Sequence, residues 1–255
     1  MSDSALEIRD VVKAFGGNKA LDGCTLTVRR GSITGVIGPN GAGKSTLFNI
    51  ISGLLRPDRG EIVFEDHRID RLAPYRISRL GIGRTFQTPR EIGDMTTLEN
   101  LMLVPQDQTG EQLRSLISGW RRVWSEEREH RADAISVLDR VEMRHQQDVP
   151  AAVLSIGQKK LLELARCLLA KPKLVLLDEP TAGVNPRLIG DLVGVMEQMA
   201  QDGVTILIIE HNMNVVMNLC EHVIVLNRGR VLREGTPSEI QNDEMVQDAY
   251  LGAVV

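Results

Sequence analysis

The sequence has few cysteines, and they are not spaced as a redox or metal-binding pair. The three cysteines are scattered along the chain and form no C-x-x-C motif. An odd, scattered set argues against a disulfide framework and predicts a protein of a reducing compartment. Two of the three, Cys167 and Cys220, lie in apolar runs, so we expect them to be buried in the core.

Long apolar runs are also missing. The longest, LVLL at 174–177 and VTILII at 204–209, are far shorter than the roughly 20 residues that a helix needs to span a bilayer. The opening MSDSALEIRD is acidic and polar, which does not fit a signal peptide. We therefore expect a soluble, cytoplasmic chain that reaches a membrane only through a partner.

The chain has no excess of basic charge. Lys and Arg total 30 against 34 Asp and Glu, which gives a net charge of −4. Nucleic-acid binding needs clustered basic residues that neutralise phosphates, so we expect no nucleic-acid partner. The 255 residues, 42% of them hydrophobic, suffice for one large α/β domain.

The apolar pattern changes along the chain. Residues 5–36 alternate as strands do, whereas residues 96–147 are rich in charge and helix formers and predict a helical subdomain. From residue 154 onward, helices alternate with short strands that are apolar throughout. Such strands predict a parallel sheet that is buried on both faces.

GPNGAGKS, at 38–45, matches the pattern G-x-x-x-x-G-K-[ST] between an apolar strand and a helix. Its glycines allow backbone amides to face phosphates, Lys44 can reach the β- and γ-phosphates, and the Ser45 hydroxyl can ligate Mg²⁺. A tight strand-to-helix turn without a ligand is the alternative. The motif predicts an ATP site that includes Gly38, Pro39, Asn40, Gly41, Ala42, Gly43, Lys44, Ser45 and Thr46.

LVLLDEP, at 174–180, is a buried strand that ends in two carboxylates, at the sheet edge where α/β folds bind ligands. Asp178 is suited to hold Mg²⁺, and Glu179 is suited to orient and deprotonate an attacking water. An acidic pair that merely caps the following helix is the alternative. Gln87 in RTFQTP and His211 after VTILIIE are weaker candidates when taken alone.

LSIGQKKLLELARCLLAKP, at 154–172, predicts a second helix whose start could bind an anion. Ser155 and Gly157 precede a run with helical apolar spacing, and amides at a helix start attract phosphates. A stand-alone P-loop kinase would leave this second site unexplained.

The order of these motifs, from the P-loop through Gln87, LSIGQ and LLDEP to His211, resembles the ATP-binding subunit of ABC transporters over nearly the whole chain. The resemblance implies an α/β fold, a P-loop NTPase (RecA-like) core with an antiparallel β subdomain and an inserted helical subdomain. Residues 1–255 would form one ABC ATPase domain. Its parts would be the β subdomain with the P-loop (5–75), the helical subdomain with the signature (88–165) and the remaining α/β core (166–255).

In that family the signature closes over the γ-phosphate that a facing subunit holds, so ATP joins two chains. The resemblance implies that Phe15 stacks on adenine and that His211 contacts the γ-phosphate. Two departures stand out: Ile156 replaces the commoner Gly of the signature, and Asn185 stands where Asp is usual. The implied sites are catalytic Glu179, His211, Gln87 and Lys44; Mg²⁺-binding Ser45, Gln87 and Asp178; and the signature Ser155, Ile156, Gly157 and Gln158 acting in trans.

Several stretches, among them GIGRTFQTPREIGDMTTLENLML and the tail VQDAYLG, resemble the ATPases of branched-chain amino acid importers. The resemblance implies a second ATPase (a copy or a sister chain), permeases that dock near 88–102, where Ile92 and Met95 are candidate anchors, and indirectly an extracytoplasmic solute receptor. It places the chain at the cytoplasmic face of the inner (plasma) membrane. The alternatives are a urea or amide importer, a lipopolysaccharide or other lipid exporter, and a non-transport ABC protein. GWRRVW, at 119–124, could contact a membrane partner or simply pack as a helix.

Overall fold

The computed structural model describes residues 3–85, 90–105 and 120–251. Gln87 therefore lies outside the described residues. The chain divides into two compact units. The first comprises residues 1–84, 172–180 and 196–255, and the second comprises residues 85–171 and 181–195.

The first unit contains an antiparallel sheet near its N-terminus. It consists of β1 (Ser4–Phe15), β2 (Asn18–Arg29), β4 (Arg59–Phe64) and β5 (His67–Arg68), in the order β2-β1-β4-β5. Leu6 and Ile8 of β1 are fully buried, whereas Arg9 is exposed and pairs with Glu61 of β4. The alternation that the sequence predicts for 5–36 is thus confirmed in β1 and β2, whereas residues 33–36 are buried throughout.

The same unit holds a six-stranded sheet in the order β10-β9-β3-β8-β7-β6. Five of these strands are parallel to their neighbours, and β10 is antiparallel to β9. Every residue of β3, β7 and β8 is buried, because helices and the antiparallel sheet cover these parallel strands on both faces. The strands are β3 (Ile33–Ile37), β6 (Ile82–Arg84), β7 (Leu174–Asp178), β8 (Thr205–Ile209), β9 (His222–Asn227) and β10 (Arg230–Gly235).

The main hydrophobic core of the first unit anchors the helix that follows β3. This helix, α1 (Lys44–Ile51), buries Leu47, Phe48 and Ile51 completely, in one cluster with Phe64 of β4 and Leu207 of β8. Full burial of each large apolar side chain contributes roughly 1.5–3 kcal/mol. The start of α1 is therefore held firmly against both sheets. The other helices of this unit are α2 (Pro74–Arg79), α7 (Met213–Leu219), α8 (Pro237–Gln241) and α9 (Glu244–Leu251).

The second unit is helical, as predicted. It contains α3 (Thr97–Met102), α4 (Trp120–Arg140), α5 (Ile156–Leu169) and two 3₁₀ turns at Arg144–Gln146 and Ala151–Val153. The next helix, α6 (Pro186–Gln201), begins in this unit and continues into the first. Among the described residues, no helix is both long and apolar enough to cross a bilayer.

Candidate active site

Strand order brings two separate stretches of the chain together at one edge of the parallel sheet. Strands β7 and β8 are neighbours, with Asp178 opposite Ile209. The Glu179 N–H continues this ladder and donates to the Ile209 carbonyl at 2.9 Å. His211, two positions after Ile209, then reaches back, and its Nε2 lies 3.0 Å from Glu179 Oε1. Sequence analysis predicted both residues but could not predict this contact.

Glu179 has an unusual backbone. Its φ of 51° lies in the left-handed region, which non-glycine residues seldom adopt. The ladder hydrogen bond to Ile209 holds the residue in this conformation. Backbone strain of this kind clusters at functional sites, where a fixed side-chain direction is needed.

The P-loop requires glycine at two positions that the motif specifies. Gly38 has φ 147°, and a Cβ there would lie 2.1 Å from the Leu226 carbonyl oxygen. Gly43 has φ 105°, and its Cβ would lie 2.4 Å from the Ala20 carbonyl oxygen. Both contacts are with backbone, which cannot move aside as a side chain can. The loop therefore folds against β2 and β9 only when these positions lack a side chain.

Lys44 points into the loop that it terminates. Its ammonium donates to the carbonyls of Gly38 at 2.6 Å and Pro39 at 3.0 Å. Burial lowers the pKa of Lys44, and the carboxylates of Glu179 and Asp178 oppose this shift without cancelling it. A buried cation beside exposed amides is an arrangement that favours a bound polyanion.

A cavity of about 300 Å³ opens over the P-loop. Phe15 lies at this cavity with its side chain 51% exposed, and Lys13 Nζ is 5.7 Å from the centre of its ring. The cavity thus joins an exposed aromatic ring, a cradle of backbone amides and the Glu179–His211 pair. It is lined by Phe15, Asn18, Ala20, residues 40–46, Glu179 and His211, all of the first unit.

Asp178 is buried at the end of β7, and Arg84 Nη2 lies 3.4 Å from its Oδ2. Arg84 also donates to Asn49 of α1 and to Ser52, the C-cap of that helix, so the carboxylate lies beside the helix that carries Ser45. Within the described residues, no three His, Cys, Asp or Glu side chains group as a metal cage. One carboxylate and one hydroxyl nevertheless suit Mg²⁺, which takes few protein ligands and keeps waters and phosphate oxygens.

Three further residues support this site without having been predicted. Glu210 is buried, and its Oε2 accepts from the N–H groups of His211 at 3.1 Å and Asn212 at 3.2 Å, which shapes the turn that carries His211. Arg84 holds Asp178. Tyr250 of α9 has its pKa raised by burial, although a hydrogen bond with the Gly38 backbone lowers it in part. Glu210 and Arg84 could have been found from the sequence, because each is a charged residue next to the apolar residues of a strand.

In the second unit, the predicted signature residues surround the start of α5. Ser155 is the N-cap: its Oγ accepts from the Gln158 N–H at 3.3 Å, and Gln158 Oε1 accepts from the Ser155 N–H at 2.9 Å. This capping box already satisfies one helix-start amide. The amides of Ile156 and Gly157, at the first two helical positions, precede those that a helix can bond internally.

The two unusual positions near the signature have clear local environments. The Ile156 side chain is 55% exposed. A Cβ at Gly157 would lie 2.6 Å from Leu188 Cδ1 and 3.1 Å from Val184 Cγ1, so the close packing of α5 on α6 favours glycine here. Asn185 Oδ1 accepts from the Arg187 N–H at 3.0 Å at the start of α6. Asn and Asp both serve as helix caps, so the replacement keeps this local contact.

The segment before α3, predicted as a docking surface, is organised by one buried amide. Asn100 Nδ2 donates to the carbonyls of Ile92, Met95 and Thr96, and its Oδ1 accepts from the Ile92 N–H. Leu98 and Leu101 of α3 are buried, whereas Ile92 is 45% exposed.

Comparison with known proteins identifies the family of this chain. The ABC transporter family model matches residues 21–182, which covers the P-loop, the signature and the Asp178–Glu179 pair. The chain belongs to the ABC transporter ATP-binding family. It therefore binds and hydrolyses ATP. A second model, the branched-chain amino acid ATP-binding cassette transporter, matches residues 230–255 of this cassette.

Curated relatives match the ABC cassette along its whole length. It is 42% identical to a probable branched-chain amino acid transport ATP-binding protein, LivG, of Archaeoglobus fulgidus, over 97% of this chain and 95% of that protein. It is 36% identical to the high-affinity branched-chain amino acid transport ATP-binding protein BraF of Pseudomonas aeruginosa, over 99% of both chains.

Solved ABC cassettes confirm the predicted P-loop NTPase fold. The ADP conformation of one transporter cassette superposes with a TM-score of 0.83 at 36% identity, over 98% of this chain and 100% of that one. A dimeric bacterial cassette superposes with a TM-score of 0.76 at 26% identity, over 91% of this chain and 98% of that one. The ADP-bound relative supports nucleotide binding by this cassette.

Proposed function

We propose that this ATPase drives the import of branched-chain amino acids, with two cassettes joined by ATP. The observation that carries the catalytic part is the cavity that the P-loop and the Glu179–His211 pair line together. The names of the relatives support the substrate class, because the two described above serve branched-chain amino acid transport. Residues of the transporter's ATPase do not contact the cargo, so the substrate needs its own test.

In this mechanism, the adenine stacks on Phe15 and the phosphates lie in the amides of the P-loop. Lys44 would exchange its bonds to the Gly38 and Pro39 carbonyls for bonds to β- and γ-phosphate oxygens. Because burial already disfavours the charged form of Lys44, a phosphate partner gains more there than at an exposed site.

Glu179 is the proposed general base. Its Oε1 lies 3.0 Å from His211 Nε2, and both residues line the cavity, where an attacking water would stand. His211 is then placed to donate to the γ-phosphate. Ser45 and Asp178 would hold Mg²⁺, which would neutralise charge on the phosphates. Gln87, also proposed as a Mg²⁺ ligand, lies outside the described residues.

The signature is proposed to act on the nucleotide of a second cassette. The start of α5 offers the amides of Ile156 and Gly157, together with the hydroxyl hydrogen of Ser155, since the capping box uses only the oxygen of that hydroxyl. The first turn of α5 carries no acidic residue that would repel a phosphate. Two cassettes facing head to tail would build two composite sites.

The remaining partners are permeases and a receptor. The exposed Ile92, whose backbone hydrogen-bonds with the Asn100 side chain, is the proposed anchor for a permease helix that docks near 88–102. Met95 is proposed as a second anchor. An extracytoplasmic receptor would deliver the substrate to the permeases. This arrangement places the chain at the cytoplasmic face of the inner membrane, attached through the permeases.

Mixing two inactive variants tests the composite site. Lys44→Ala disables the site that a chain holds, and Ser155→Ala disables what it contributes to its partner. In a mixed dimer one site carries both defects and the other is intact, so ATPase activity should reappear on mixing. If the mixture of the two inactive variants stays inactive, the signature does not act across a dimer of this chain.

Loss of the helix cap needs its own control, because Ser155→Ala also costs about 1 kcal/mol of helix stability. Thr96→Ala removes the same kind of capping box, with Glu99, from α3 in the same unit. It should leave ATPase activity largely intact. The substrate class is tested separately by calorimetry, in which the receptor encoded beside this gene should bind leucine, isoleucine or valine and not urea.

A further inference from the structure

Arg84 is a buried arginine directly behind the ATP site. It is the last residue of β6, and its side chain is only 10% exposed. Its Nη1 donates to Asn49 Oδ1 and Ser52 Oγ, both at 2.8 Å, and its Nη2 lies 3.4 Å from Asp178 Oδ2. One guanidinium thus connects three elements: β6, the end of α1 and the end of β7.

The charges explain why this position holds an arginine. The Asp178 side chain is also only 10% exposed, and a buried carboxylate is costly unless a cation compensates it. Lys44, a second cation near Asp178, donates hydrogen bonds to the Gly38 and Pro39 carbonyls. Arginine stays charged at all ordinary pH values and can fork its donors between several acceptors.

The position of Asn49 locates the guanidinium relative to the proposed Mg²⁺ ligands. Asn49 follows Ser45 by four positions, so the two lie on the same face of α1, one turn apart. Arg84 therefore lies one turn below Ser45 and in contact with Asp178. Arg84 is not among the residues that line the cavity, so any role it has in the reaction is one of positioning.

We propose that Arg84 is the counter-ion of Asp178 in the nucleotide-free cassette, and that the cassette depends on it less once a Mg²⁺-nucleotide is bound. The second half rests on the proposed function, because it requires Asp178 to be a Mg²⁺ ligand. A divalent cation at Asp178 would add positive charge to that of Arg84, so the buried carboxylate would depend on Arg84 less. Removing Arg84 should then destabilise the apo protein more than the bound one.

A double-mutant cycle on the apo protein tests the first half. Arg84→Met removes the charge and keeps the length of the side chain. Thermal unfolding is measured with a chelator and without nucleotide, and Arg84→Met should lower the Tm by on the order of 10 °C. Asp178→Asn in that background removes the orphaned charge and should recover about half of this loss. Purely additive losses would overturn the assignment.

Two control variants separate charge from packing. Arg56→Met removes an exposed arginine of the same unit and should leave the Tm within about 1 °C. Arg84→Lys keeps the charge while losing the forked geometry, so it should be clearly more stable than Arg84→Met. If Arg84→Lys is as unstable as Arg84→Met, the role of Arg84 is its hydrogen bonding to α1 and not its charge.

The second half is tested by the rise in Tm on adding Mg²⁺ and ADP, compared with ADP plus chelator. The Mg²⁺-dependent rise should be at least twice as large in Arg84→Met as in the parent protein. An equal rise would overturn this half. If the parent protein itself shows no Mg²⁺-dependent rise, the Mg²⁺ site of the proposed function fails, and the second half with it. The apo cycle still decides whether Arg84 is the counter-ion.

Discussion

Glu179→Gln is the sharpest test of the proposed hydrolysis mechanism. The substitution keeps the shape and the Oε1 acceptor that faces His211 Nε2 at 3.0 Å. It also keeps the backbone bond to Ile209, which fixes the left-handed conformation. Only the negative charge and the ability to accept a proton are lost. Because His211 is 44% exposed, solvent screens the lost charge attraction, so folding stability should change by less than about 1 kcal/mol.

The expected effect on turnover is far larger. Loss of a positioned general base lowers the rate by on the order of 10²–10⁴, equivalent to roughly 3–5 kcal/mol in the activation barrier. ATP affinity should be unchanged or slightly higher, since a negative charge near Lys44 is removed. With hydrolysis blocked, ATP should remain between the cassettes and hold a dimer.

Phosphate release and light scattering with ATP and Mg²⁺ measure these two effects. Glu221→Gln, an exposed acid of the same unit, is the matched control and should keep normal turnover. Near-normal turnover in Glu179→Gln would remove Glu179 from the catalytic role. Slow turnover without an ATP-dependent dimer would support Glu179 as the general base but would refute the pairing of two copies of this chain.

Three further outcomes are expected. Gly157→Ala places a Cβ 2.6 Å from the flexible end of Leu188 and should lower the free energy of unfolding, measured in urea, by about 1–3 kcal/mol. Gly190→Ala has open space around the new Cβ and should be neutral or stabilising. Equal effects of the two substitutions would contradict the packing argument. Ile92→Asp should reduce transport in reconstituted vesicles while the isolated subunit keeps its ATPase activity. Met245→Asp, at another exposed apolar site, is the control and should leave both activities unchanged. A loss of ATPase activity in the isolated Ile92→Asp subunit would instead make Ile92 a structural residue. Burial raises the pKa of the thiols of Cys24, Cys167 and Cys220 to about 12. At pH 8 the three thiols therefore stay protonated and should not react with a thiol reagent until the protein unfolds. Rapid reaction of any of them in the native protein would contradict this prediction.

The sequence alone determined the features that depend on neighbouring residues. The P-loop follows from glycines that only a tight strand-to-helix turn requires, and at Gly38 and Gly43 the structure shows backbone where a side chain would stand. The start of α5 at Ser155 follows from a capping box that spans four residues. The buried strands β7 and β8 follow from their continuous apolar runs. Each of these signals is local, because caps, turns and periodicity act over a few positions along the chain.

Tertiary structure decided which of these distant stretches meet. The contact between Glu179 and His211 exists because β7 and β8 are neighbours in register, and no local pattern specifies strand order. The ion pair of Arg84 with Asp178 likewise depends on β6 joining the same sheet edge. A buried charge is tolerated only when the fold supplies its partner, and that partner is chosen by long-range packing. The motifs could therefore be predicted from the chain, whereas their mutual contacts could only be read from the folded protein.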